Sequence, residues 1–99
     1  MKKVNEALAV ILEDWQRMQE TEGDEGVEAA ERFEANFYEF AREFKRWYHS
    51  LDHPPRTLDE LESMEEVSQI QEVLPGPLQL NFMIEMEEII DGIDTQRFD

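Results

Sequence analysis

The sequence predicts an all-α fold: a small bundle of four main helices at about 3–20, 27–51, 57–74 with a bend near Ser63, and 78–91. Three observations carry this. Apolar residues recur at steps of three and four, the period of one helix face. Proline and glycine gather at 54–55 and 75–77 and cut the pattern into helix-sized segments. No strand-like alternation and no internal repeat stands out.

In the first helix Val4, Leu8, Ile11, Trp15 and Met18 form a short heptad-like seam, flanked by Ala7 and Leu12. TEGDEG, residues 21–26, holds two glycines, three acids and no apolar side chain, and is expected as a loop. Its acids precede the next helix, where negative charge favours the N-terminal end. So short a connection makes the first two helices antiparallel neighbours. Their contact sets the Trp15–Ile11 seam against the second helix.

That second helix carries the strongest signal. Val27, Ala30, Phe33, Phe37, Phe40, Phe44, Trp47 and Leu51 follow the helical step. At 100° per residue, the six from Phe33 to Leu51 fall in a sector about 80° wide, which Ala30, Ala41 and Tyr48 widen on one side. Such a helix runs about 37 Å at 1.5 Å per residue. The four Phe and the Trp on one stripe require covering by other segments. The helix must stop near Asp52, because His53 precedes Pro54 and Pro55.

Thr57 to Glu60 reads as a capping box, with Leu58 and Leu61 facing inward. A continuous helix through Leu58, Leu61, Met64, Val67, Ile70 and Leu74 would let the apolar stripe precess. Ser63 to Glu66 reads as a second capping box. The expectation is therefore a short helical turn at 57–62, a bend, and a helix from Met64 to Leu74 burying Val67, Ile70, Val73 and Leu74. Pro75-Gly76-Pro77 is a stop, and Pro77 suits the first turn of the last helix. That helix has Leu78, Phe82, Met86, Ile89 and Ile93 on one side, with Leu80, Met83, Ile84 and Ile90 around it. An apolar surface this wide belongs to the most buried helix or to one that meets a second molecule. Gly92 is expected to end it, leaving a frayed tail at 94–99.

The 99 residues fit a single helical domain, and 40% hydrophobic content with ten aromatic rings supports a folded core. Nine Lys and Arg against 25 Asp and Glu give a net charge of −16. Nucleic acid and anionic membranes are excluded as partners on that ground, and a basic protein surface is favoured. With no cysteine there are no disulfides or thiolate metal sites. Glu6, Glu13 and Asp14 interrupt the N-terminal apolar patch too soon for a signal peptide. No apolar run spans a bilayer, so the expected compartment is cytoplasmic.

Chemistry is sparsely signalled. His49 and His53, four apart with Asp52 between, could reach one ion on a continuous helix, but the prolines argue against that register. A ferritin-like di-metal centre needs Glu-x-x-His, and Arg46 and Ser50 occupy the positions where Glu would stand. Ser50 and Ser63 have no base at useful spacing, and the four glycines sit in turns rather than in a phosphate loop. No catalytic residue, metal site or cofactor is assigned. Arg42, Lys45 and Arg46 form one basic cluster, a candidate docking point for an acidic segment. Glu39 and Glu43 stand three residues before the two arginines, and local ion pairs account for much of it. Residues 1–51 hold 12 acids and 7 bases, net −5, whereas residues 52–99 hold 13 acids and 2 bases, net −11. The candidate partner-binding acidic face comprises Asp59, Glu60, Glu62, Glu65, Glu66, Glu85, Glu87, Glu88 and Asp91; a solvated, solubilising surface is the plainer account of it.

These features point to a non-enzymatic protein–protein interaction or regulatory module, with a homodimer among its forms. The alternative is a DNA mimic or immunity-type inhibitor of a basic nucleic-acid-binding protein. A metal-dependent enzyme using His49 and His53 is the weakest of the three readings.

Overall fold

A computed structural model describes the backbone of residues 1–95 and the side chains of residues 1–92. The protein is all-α, with α1 at Lys2–Glu20, α2 at Gly23–Ser50, α3 at Leu58–Glu62, α4 at Glu65–Val73 and α5 at Gly76–Thr95. No strand occurs among the described residues. The chain divides into two compact units, Met1–His49 and Ser50–Asp99.

The first unit is the α1–α2 hairpin. Its helices are antiparallel: Trp15 meets Phe33, with ring centroids 5.7 Å apart, while the preceding Asp14 meets Asn36, further along α2. The expected loop at 21–26 shrinks to Thr21 and Glu22, and α2 begins four residues before Val27. Gly23 makes this possible. Its φ of +65° reverses the chain in a region that L side chains rarely adopt. Asp24 and Glu25 then lie inside the first turn, where their charge meets the positive end of the helix dipole. The earlier start also corrects the inward face. Val27 is exposed, and Ala29 is the buried residue of this end. Val4, Leu8 and Ile11 are buried as the seam requires, with Trp15 and Met18 half-buried.

Along α2 neighbouring rings meet at helical steps. Centroids are 5.9 Å apart from Phe33 to Phe37 and from Phe37 to Phe40, and 5.3 Å from Phe44 to Trp47. Phe40, Phe44 and Tyr48 are fully buried; Phe33, Phe37 and Trp47 are half-buried. The buried line thus steps by four and drifts toward Tyr48. Among the buried polar or charged residues described, Asp14 stands alone at 5% exposure, and the Asn36 side-chain amide donates to its carboxylate.

In the second unit, α3 packs against both α4 and α5. Thr57 caps α3 by accepting from the Glu60 backbone N–H at 3.2 Å. The reciprocal bond comes from one residue earlier than a standard capping box: the Arg56 N–H donates to the Glu60 carboxylate at 3.2 Å. The second expected capping box is not formed. Ser63 stays in the α-region as the C-cap of α3, and its hydroxyl donates to the Glu60 carbonyl at 2.7 Å. Met64 is the extended residue before α4 and has no side chain able to cap it. The bend near Ser63 stands. Leu61, Val67, Ile70 and Leu74 are buried, but Val73 is 53% exposed, because successive steps of three precess and set it about 90° from the middle of the Val67–Ile70 row.

The Pro75 carbonyl accepts from Leu78 and Gln79 at 2.9 and 3.0 Å, and these bonds start α5. The Gln79 side-chain amide donates to the Gln71 and Leu74 carbonyls at 2.8 and 2.9 Å, tying the last turn of α4 to the first of α5. Leu78, Phe82, Met86 and Ile89 are buried. Gly92 does not end α5, which continues to Thr95. The rest of the expected frayed tail, and the orientation of Ile93, lie outside the described residues.

Two substitutions test these local devices. Asn36→Ala leaves the Asp14 carboxylate without that donor, and chemical denaturation should show a loss of about 1.5–3 kcal/mol. Thr57→Ala removes the α3 cap and should cost about 1 kcal/mol in the same assay.

Candidate functional site

The last helix has two apolar faces. At 100° per residue, Leu78, Phe82, Met86 and Ile89 lie within a sector about 80° wide, and all four are buried. Almost opposite lie Leu80 and Ile84, with Met83 to one side, and they are 59%, 44% and 36% exposed. Continuing toward the C-terminus, the outer face changes character. Glu87, Glu88 and Asp91 are exposed and follow the apolar trio by one to two turns. The outer face of α5 is therefore split lengthwise, apolar first and acidic after.

Glu85 stands at the boundary between faces and is half-buried. Burial raises its pKa above the ordinary carboxylate value, and the neighbouring negative charge of Glu88 raises it further. Neither Glu87 nor Glu88 takes part in an ion pair among the described residues, which hold three ion pairs, all within α1 or α2.

The remaining members of the acidic face are less concentrated. Asp59, Glu60, Glu65 and Glu66 are exposed and Glu62 is half-buried. Asp59, Glu60, Glu65 and Glu66 lie in the first turns of α3 and α4, where the helix dipole already favours negative charge. Glu60 is engaged in the α3 cap, and Glu65 accepts from Gln69 at 3.4 Å.

The basic cluster is largely absorbed locally. Arg42 pairs with Glu39 at 3.1 Å and Arg46 with Glu43 at 3.4 Å, each across one helical turn. Lys45 is exposed between them. Pairs one turn apart on a helix contribute a few tenths of a kcal/mol each, and Glu43 is itself half-buried.

His49 and His53 do not share a helix, since α2 ends at Ser50. Among the described residues no three of His, Asp and Glu converge to hold a metal ion. His53 instead lines an open groove with Leu51, Pro54, Arg56, Glu60 and Met64, and its mixed charges define no single ligand chemistry. No helix among the described residues is long and apolar enough to cross a membrane. The chain matches no protein-family model, no curated protein and no solved structure.

The raised Glu85 pKa has a consequence for stability. The folded state holds this proton to higher pH than the unfolded chain does. Its contribution is therefore full below the unfolded pKa and is lost as pH rises through the folded pKa. Glu85→Gln should raise the melting temperature at neutral pH, with the gain vanishing as the pH falls through the carboxylate range. Thermal unfolding followed by circular dichroism at several pH values reads both.

Proposed function

We propose that the protein is a non-enzymatic helical module that binds another protein through the outer face of α5. The single observation behind this reading is the exposure of Leu80, Met83 and Ile84 opposite the buried face of the same helix. A helix that needs only to complete a core needs one apolar face. Clustered exposed side chains of this type raise the free energy of the isolated protein in water and are relieved by covering.

The charge of −16 weighs against nucleic acid and anionic membrane surfaces as the covering partner. The outer row of α5 also argues for protein binding over imitation of DNA. A phosphate mimic needs carboxylates at regular intervals along one face, and leucine, methionine and isoleucine occupy the first half of this one.

The test is position-specific cross-linking. A photoreactive residue at Met83, in protein incubated with extract of the native host, should give a discrete cross-linked partner. The same residue at exposed Gln19 should not, and Leu80→Ser with Ile84→Ser should abolish the product at Met83 while the helical spectrum is kept. Equal labelling from both positions, or no product at Met83, overturns the reading.

A further inference from the structure

We infer that the occupant of the outer α5 face is a basic amphipathic helix, with an apolar stripe for Leu80, Met83 and Ile84 and a Lys/Arg cluster for Glu87 and Glu88. This rests on the reading of α5 as a protein-binding surface, and adds the chemistry of what binds.

Charge complementarity along the length of the helix selects this occupant. The segment Gly76–Thr95 contains no Lys or Arg, while Glu87, Glu88, Asp91 and Asp94 fall in its second half, directly after Glu85. An uncharged apolar helix could cover Leu80, Met83 and Ile84. It would then lay apolar or neutral surface over Glu87 and Glu88, removing their hydration without replacing it. A helix bearing cations one to two turns from its apolar residues covers the first half and neutralises the second.

The same geometry disfavours a second copy of this chain on this face. Two α5 helices in parallel set Glu87 and Glu88 against their own equivalents. In antiparallel register, each Leu80 end lies against the other's glutamates. Neither arrangement supplies a cation, because α5 has none. Two chains of charge −16 also repel before contact.

The form of the surface fits a helix. Leu80, Met83 and Ile84 are spaced i, i+3 and i+4 and make one ridge, the unit that seats in the groove of a facing helix. From Leu80 to Glu88 the ridge runs about 12 Å at 1.5 Å per residue, so the contact spans about two turns. An interface this small gives weak, fast-exchanging and salt-sensitive association. Methionine at its centre adapts to partners of differing shape.

The experiment uses the full chain and synthetic helical peptides, titrated by calorimetry. A peptide with one leucine stripe and a lysine block at one end should bind. Glu87→Gln with Glu88→Gln should weaken that binding about tenfold at low salt, a difference that fades as salt rises. Leu80→Ser with Ile84→Ser should abolish it, with circular dichroism confirming that both variants keep their helices. Equal binding by a peptide with glutamine in place of lysine overturns the charge assignment, while the protein-binding reading of α5 survives. Equal binding by a lysine peptide without the leucine stripe also overturns the inference, since attraction would then be unspecific. A dimer in sedimentation that Leu80→Ser with Ile84→Ser dissolves would assign the face to a second copy. Failure of every peptide, with the Met83 cross-link still obtained, would sink the basic helix alone; loss of both would sink the two readings together.

Discussion

The removal of Phe40, Phe44 and Tyr48 from water is the interaction on which the α2 end of the first unit depends. Each of these rings is at most 1% exposed, and burying one contributes about 2–3 kcal/mol in transfer free energy. The opposing force is the mutual repulsion of a chain with 25 acids and nine bases. Those charges are almost all at the surface, where water and salt screen them, whereas burial of the rings is not weakened by salt. The rings therefore decide the outcome. Asp14 is the exception to the outward placement of charge. Its bond from Asn36 adds specificity to a hairpin whose ring contacts alone would tolerate sliding, since a shift of α1 by one turn would leave a buried carboxylate without its donor.

Much of this architecture is legible in the periodicity of the chain. The aromatic steps from Phe33 to Trp47, the prolines at 54, 55, 75 and 77 and the precession at Ser63 are strong local signals, and each corresponds to an observed helix or break. What escapes the pattern is set by backbone geometry or by a partner far along the chain. The start of α2 at Gly23 depends on one positive φ, which composition cannot distinguish from a flexible loop. The cap at Ser63 fails because Ser63 is already committed to the end of α3. Asp14 falls three residues after Ile11, on the seam's own spacing, but only its meeting with Asn36, 22 positions on, explains why it is tolerated there.

The candidate surface was half legible. Excess apolar width in the last helix is visible from sequence, as is the acid content of the second half. Helical spacing also sets Leu78, Phe82, Met86 and Ile89 apart from Leu80, Met83 and Ile84; that the first row is the one turned to the core is settled only by packing, including that of α5 on α3. The structure also separates acids that a sequence count lumps together. Glu60 and Glu65 serve their own helices, while Glu87 and Glu88 follow directly on the outward apolar ridge.

The double bond from Gln79 to the carbonyls of Gln71 and Leu74 makes the α4–α5 corner a braced elbow rather than a hinge. Both amide hydrogens of one side chain are used, so opening the corner would break two bonds at once. The first turn of α5, and with it the direction in which Leu80 projects, is therefore set by the fold itself. A partner of the proposed kind would therefore meet a preformed surface, with little ordering left to be done on contact.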